Sequence, residues 1–239
     1  MTLAAQGLCK SFGEQCVLRD VSLTVESGGF LAILGRSGCG KTTLLRLLGG
    51  FLPPDSGRVL LDGKPVTAPG KDLLMVFQGF DQLFPWQTLL QNLVFALAKT
   101  RPELSKKEAR ELASRCLGEM GLKSAQDKYP HQLSGGMKQR GVLARAMALA
   151  PKVLLMDEPF SSLDVSLRES AHESLLTLRR LTGAAVVFVT HDIGEALHLA
   201  PEIALMKPES FGIFKIVKNT GPGLGEELAR ELKDSRGMP

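Results

Sequence analysis

The stretch Phe30-Leu-Ala-Ile-Leu34-Gly35-Arg36-Ser37-Gly38-Cys39-Gly40-Lys41-Thr42-Thr43-Leu-Leu-Arg-Leu-Leu48 decides the fold. Residues 30–34 form a continuous apolar run of strand length, and the glycine-rich segment that follows opens a helix through Leu44, Leu45, Leu47 and Leu48. Gly49-Gly50 stops that helix. Gly35, Gly40, Lys41 and Thr42 have the spacing of a phosphate-binding loop, placed between a strand and a helix as such a loop requires. Glycine lets the backbone turn tightly enough for several N–H groups to converge on phosphate oxygens. The helix N-terminus adds partial positive charge. Lys41 is expected to reach the β- and γ-phosphates and the Thr42 hydroxyl a Mg²⁺ ion, with Ser37, Gly38, Cys39 and Thr43 completing the loop. The motif selects a nucleotide phosphate without choosing ATP over GTP.

Working outward, residues 153–156 and 184–189 are two more apolar runs that lack polar alternation, as strands covered on both faces do. Such runs alternating with helical patterns predict an α/β fold with a parallel sheet. Residues 87–150 read as helical, with a capping box at Ser105 and Glu108 and an amphipathic run over 134–149. They form either a helical subdomain inserted into the core or helices packed on the same sheet. Residues up to about Val25 alternate like strands of a small antiparallel addition. The last residues, 221–239, cluster glycine and proline before a short charged helical run and predict a loosely held tail.

The second landmark is Val153-Leu-Leu-Met-Asp157-Glu158-Pro159. An apolar strand ending in carboxylates puts charge at the C-terminal edge of the sheet, where ligands bind in open α/β folds. Asp157 is placed to support the metal, and Glu158 to act as general base on a water.

Composition agrees with this reading and narrows it. The chain has 239 residues, 44% hydrophobic and 23% charged, which fits one soluble α/β domain. Its 29 basic and 25 acidic residues leave +4, too mild a balance to indicate nucleic acid. Cys9, Cys16, Cys39 and Cys116 show neither paired nor metal-binding spacing and read as reduced thiols. Cys39 lies inside the phosphate loop, so a thiol reagent is expected to compete with nucleotide. No signal-like segment opens the chain, and no apolar run is long enough to cross a bilayer.

Leu133-Ser134-Gly135-Gly136-Met137-Lys-Gln-Arg140, lying between the phosphate loop and Asp157-Glu158, carries a family resemblance. It is similar to the signature motif of ABC transporter ATPases, with Met137 where many members carry glutamine. The resemblance extends to about Val217 and implies a P-loop NTPase (RecA-like) core with an antiparallel β subdomain and an inserted helical subdomain. The ATPase domain is then 1–218 and the tail 219–239. It also implies roles: Phe12 stacking on adenine, Gln78 contacting Mg²⁺ and the attacking water, and His191 sensing the γ-phosphate. Ser162-Leu163-Asp164 matches the segment that runs along the dimer interface. The family works as a head-to-tail dimer, so Ser134, Gly135 and Gly136 of one subunit cover ATP held at Lys41 of the other.

The segment Asp81-Gln82-Leu83-Phe84-Pro85-Trp86-Gln-Thr-Leu-Leu-Gln-Asn92-Leu93 after Gln78 is similar to that of the nitrate, sulfonate and taurine importer group. In that group it receives a helix of the membrane permease, which makes Phe84 and Trp86 candidate docking anchors. The implied setting is the cytoplasmic face of the inner membrane, with a periplasmic or extracellular substrate-binding protein acting through the permease. The turn near residues 207–211 is unfamiliar for that group, and no C-terminal regulatory module is expected. A soluble ABC ATPase of nucleic-acid maintenance is the rival. It requires a long coiled coil, and no sustained heptads separate the phosphate loop from the signature. A non-catalytic partner lacks the base or the switch residue, whereas Glu158 and His191 are both present.

Overall fold

The computed structural model describes residues 2–79, 82–221 and 223–233. The chain opens with an antiparallel pair, β1 (Thr2–Phe12) and β2 (Gln15–Glu26), and enters the centre of the molecule as β3 (Phe30–Gly35). Helix α1 (Lys41–Leu48) follows the phosphate loop, and β4 (Ser56–Leu61) and β5 (Lys64–Pro65) return to the first sheet in the order β2-β1-β4-β5. After β6 (Leu73–Val76) come three helices, α2 (Leu89–Thr100), α3 (Lys106–Glu119) and α4 (Gly135–Leu149). The chain then alternates through β7 (Val153–Asp157), α5 (Val165–Thr182), β8 (Ala185–Thr190) and α6 (Ile193–Leu199). It closes with the hairpin β9 (Glu202–Lys207) and β10 (Gly212–Lys218) and with α7 (Leu224–Lys233). The second sheet has the order β10-β9-β3-β8-β7-β6 and is parallel except for the β9–β10 pair.

Every residue of β3, β7 and β8 is buried. The pleat explains why these runs lack polar alternation. Ala32 and Leu34, Leu154 and Met156, and Val186 and Phe188 point into one core, shared with α2–α5. Leu31 and Ile33, Val153 and Leu155, and Val187 and Val189 point into a second core, shared with α1, β1 and β2. Successive side chains face opposite sides of a strand, so a strand between two cores is apolar on both faces until its end, where Asp157 closes β7 and Thr190 closes β8.

The three helices lie between β6 and β7 in sequence and pack on one another, and their buried residues run without a break into the core beneath the sheet. Both descriptions of residues 87–150 therefore hold: they are an insertion, and they share the sheet's core. Helix α3 begins at the predicted capping box, with the Ser105 and Glu108 side chains each accepting the other's backbone N–H.

The end of the described chain is held more firmly than its composition predicts. Leu224 and Leu228 of α7 are buried in the main core, and Lys215 of β10 bonds Glu227 and Glu231. Asn219 donates to the carbonyls of Leu197 and Ala200, fixing the approach to α7. Leucine every fourth residue gives a helix one apolar stripe, and that stripe docks. The residues of the predicted tail beyond 233 lie outside the described ones. The unfamiliar turn also has a seat: Phe211 accepts from the Arg19 N–H at 2.7 Å, and the Arg19 guanidinium lies 4.9 Å from its ring centroid.

Candidate nucleotide site

The site is built where the C-terminal ends of β3, β7 and β8 meet. Gly40 caps α1 in a left-handed conformation with φ 96, which an L side chain adopts only under strain. A side chain at Gly35 is excluded sterically, since its Cβ would lie 2.6 Å from the Met206 carbonyl oxygen. The loop so formed borders a cleft of about 440 Å³ lined by Phe12, Val17, Ser37, Gly38, Gly40, Lys41, Thr42, Thr43, Gln78 and Glu158. Residues as distant in sequence as Phe12 and Glu158 thus share one wall.

Lys41 is buried, and its ammonium donates to the carbonyls of Gly35 at 2.9 Å and Arg36 at 3.0 Å. A Glu158 carboxylate oxygen lies 3.7 Å away. The Thr42 hydroxyl donates to Asp157 at 3.1 Å. Burial pushes the Asp157 carboxyl above its ordinary range, with the Thr42 hydrogen bond working against it. Glu158 follows directly, and its N–H bonds the Val189 carbonyl, continuing the β7–β8 pairing by one step. Its φ of 43 is left-handed, a conformation that non-glycine residues adopt mainly where the surroundings enforce it. The carboxylate meets His191 Nδ1 at 3.0 Å. His191 sits in the turn after β8 and opens onto an adjoining hollow of about 390 Å³ with Gly35, Arg36, Ser37 and Leu232 of α7.

Two sets of expected residues do not line this subunit's cleft, the signature residues among them being those expected to face the other subunit's nucleotide. Ser134 caps α4, accepting from the Met137 N–H, and neither it nor Gly135 nor Gly136 lines the cleft. Gly136 instead lets α4 approach α5, where a Cβ would meet Leu167 at 3.0 Å. Cys39 is the other. Its side chain points into the core between the sheets, so only its backbone N–H is available to a phosphate. Burial raises the thiol above its usual range, which slows its reaction with the reagent expected to compete with nucleotide.

Residues 18–161 match the model of the family described as ABC transporter. This chain belongs to that family. The nitrate import ATP-binding protein NrtD of Synechococcus elongatus is 45% identical over 194 residues, which are 81% of this chain and 70% of that one. The taurine import ATP-binding protein TauB of Yersinia pestis is 40% identical over 227 residues, 95% of this chain and 87% of that one. NrtC of the same Synechococcus is 42% identical over 81% of this chain, which amounts to 29% of its own greater length. Among solved structures, cbiO1 of Clostridium perfringens, part of the ABC transporter complex cbiONQ, superposes with a TM-score of 0.84 at 27% identity, covering 96% of this chain and 93% of that one. The dimeric ATP-binding cassette MJ0796, bound to ADP and Pi, gives 0.78 at 31% identity over 92% and 100%. The ABC cassette is thus an ATP-binding importer subunit, an ATPase coupled to transport, and the soluble rival falls away.

Across the ABC cassette, the expected docking segment forms an aromatic cluster. Trp86 is 70% exposed, and Phe84 is half-buried between it and Phe95, at centroid distances of 5.5 and 5.2 Å. Asp81 of that segment lies outside the described residues. Asn92, fully buried, holds the loop in shape: it accepts from the Phe84 N–H at 2.7 Å and donates to the carbonyls of Phe84, Gln87 and Thr88.

Sequence reasoning passed over some of the surroundings of the site. Val17 lines the cleft beside Phe12. Arg168 of α5 spans from the Leu163 carbonyl to Asp192 and Glu195, tying the segment after β7 to the turn carrying His191. Arg145 of α4 donates to the Gln82 carbonyl, four residues past Gln78. These links join residues far apart in sequence, and only Val17 carried a local signal, the alternation of β2.

Proposed function

We propose that this cassette hydrolyses ATP with Mg²⁺ in a head-to-tail homodimer and thereby drives a separate integral-membrane permease. The observation that carries the reading is the cleft itself, which gathers Phe12, Lys41, Thr42, Gln78 and Glu158 while leaving the Ser134 helix terminus without a phosphate in the same subunit. A second subunit, turned to face the first, supplies that phosphate.

Each residue has a chemical part in this reading. Phe12 is 52% exposed at the end of β1 and offers a ring face to adenine. On nucleotide binding, Lys41 exchanges its two carbonyl partners for phosphate oxygens. The Thr42 hydroxyl, the Asp157 carboxylate and the Gln78 amide supply oxygen donors, which suit a hard cation such as Mg²⁺. That ion, when bound, offsets negative charge on the phosphates. Glu158 takes a proton from water as its oxygen attacks the γ-phosphorus, and the bond to the ADP oxygen breaks. His191, paired to Glu158, faces the same phosphate and reports its presence. Binding of two ATP molecules stabilises the closed dimer, and hydrolysis releases it, so the interface is a two-state element biased by ligand.

No helix among the described residues is long and apolar enough to cross a membrane. The cassette is placed at the cytoplasmic face of the inner membrane by its permease, at Phe84 and Trp86, while a substrate-binding protein outside delivers the cargo. Exposed aromatic anchors of this kind dominate many interfaces. The reading is tested with the Trp86→Ala variant coexpressed with the permease chains. ATPase activity of the free cassette and its melting temperature should stay as they were, while copurification with the permease is lost. Retained copurification together with undiminished transport refutes the docking assignment.

A further inference from the structure

The described residues on either side of Gln78 are held by one side chain to which the sequence pattern assigns no role. Gln82 accepts from the Phe77 N–H at 3.0 Å and donates from Nε2 to the carbonyls of Phe77 at 2.7 Å and Gly79 at 3.0 Å. The backbone directly before and directly after Gln78 is therefore bound to the same amide. Gln82 is itself anchored: its carbonyl accepts from Arg145 Nη1 at 2.6 Å. Arg145 rises from α4, and burial lowers the pKa of its guanidinium. Arg145, Gln82, Phe77, Gln78, Gly79 and Met75 border a hollow of about 390 Å³ behind the nucleotide cleft.

We propose that Gln82 and Arg145 are positioning residues for Gln78, setting the height at which its amide enters the nucleotide cleft. The inference rests on the reading of Gln78 as the residue that meets the metal and the attacking water. The physical argument is one of degrees of freedom. Gly79 has φ 98 and no side chain to pack, so the turn after Gln78 has little local reason to keep one shape. Three hydrogen bonds of one amide remove that freedom, and a charge-assisted bond from Arg145 of α4 to the Gln82 main-chain carbonyl fixes that residue's backbone to the rest of the fold. Displacement of a reacting group by about 1 Å is enough to lower a rate on the order of a hundredfold. A positioning contact of this kind acts on the chemical step and leaves the phosphate loop untouched.

The arrangement has a second consequence. Arg145 stands on the same α4 whose N-cap is Ser134. Eleven residues of helix separate them, a rise of roughly 16 Å. The rod that presents Ser134 to the partner's nucleotide thus also anchors Gln78 at the subunit's own nucleotide, and movement at one end is felt at the other.

The experiment is a double-mutant cycle on the full chain, read as steady-state ATP hydrolysis with titrated Mg²⁺. Gln82→Met, which keeps length and removes the polar atoms, should lower kcat about tenfold or more and raise the Mg²⁺ concentration for half-maximal rate, with KM for ATP changed less than about threefold. Gln82→Glu, which keeps the acceptor for the Phe77 N–H and loses both donors, should fall between parent and Gln82→Met. Arg145→Met should shift the same two quantities in the same direction. In the cycle, Gln78→Ala with Gln82→Met should hydrolyse no more slowly than Gln78→Ala alone, because the second change acts only through the first residue. Multiplying losses overturn the proposal. So does loss of ATP binding in Gln82→Met, measured with a fluorescent nucleotide, since the contact then serves the fold as a whole. If Gln78→Ala is slow and Gln82→Met runs at the parent rate, positioning alone is refuted. If Gln78→Ala itself runs at the parent rate, the assignment of Gln78 falls and the proposal falls with it.

Discussion

Replacing Glu158 by glutamine isolates one charge in the cleft. The change keeps the side chain's length and its approach to His191 Nδ1, now 3.0 Å from a carboxylate oxygen, and removes the proton acceptor. Base catalysis of this type contributes about 10²–10⁴ in rate. At about 1.4 kcal/mol per decade, the barrier should rise by roughly 3–5 kcal/mol. Binding should move the other way. The Glu158 oxygen 3.7 Å from Lys41 Nζ competes with phosphate for that ammonium. At an effective dielectric constant near 20 this attraction is about 4 kcal/mol before desolvation, which cancels most of it. ATP should therefore bind Glu158→Gln as tightly as the parent or up to about tenfold more tightly. With hydrolysis blocked, ATP and Mg²⁺ should hold a dimer that persists through gel filtration, while phosphate release falls at least a hundredfold. A variant that hydrolyses within about threefold of the parent removes Glu158 from the base role. One that loses hydrolysis, binds ATP and stays monomeric refutes the ATP-sandwich dimer.

Three further predictions come from the geometry. Phe12→Ala should leave the melting temperature within a degree or two, since the ring is largely exposed. Its affinity for ATP, by calorimetry, should fall about fivefold or more, and an unchanged affinity removes the ring from the adenine site. Asn92→Ala should lower stability by about 2–4 kcal/mol in urea unfolding, because it strands the Phe84 N–H and neighbouring carbonyls in a buried place; a loss below 1 kcal/mol contradicts that account of the loop. Among the thiols, Cys9 should react with an aromatic disulfide reagent well before Cys39. Hydrogen bonds from Ser56 and the Asp20 N–H favour the Cys9 thiolate, while burial raises the Cys39 thiol. The difference should narrow as pH rises towards 9, and equal rates at pH 7, followed by peptide mass analysis, contradict the burial of Cys39.

What was legible in the sequence was what local pattern encodes. The phosphate loop is contiguous, so its spacing alone located Lys41 and Thr42 beside the strand and helix they need. Strands β3, β7 and β8 were legible because a strand between two cores stays apolar until its C-terminal end, where Asp157 and Thr190 close β7 and β8. The helical stretch announced itself through the Ser105–Glu108 capping box and the amphipathic period. Orientation within the loop was not legible: nothing in Gly38-Cys39-Gly40 says that the thiol turns inward, where its sulfur takes the space that a side chain at Gly35 would fill. The Gln82–Arg145 contact spans 63 residues and has no period to betray it. The docking of α7 was legible and was passed over, since Leu224, Leu228 and Leu232 recur at four-residue spacing.

The left-handed backbone at Glu158 sets stability and activity against each other in one residue. Holding a side chain there costs about 1–3 kcal/mol, which glycine would not incur. Glu158→Gly would thus relax the end of β7 while deleting the carboxylate proposed as the base. A directed-evolution campaign selecting this cassette for heat resistance alone would be drawn towards inactive chains at this position. A screen for hardier variants of this chain therefore has to score phosphate release alongside folding.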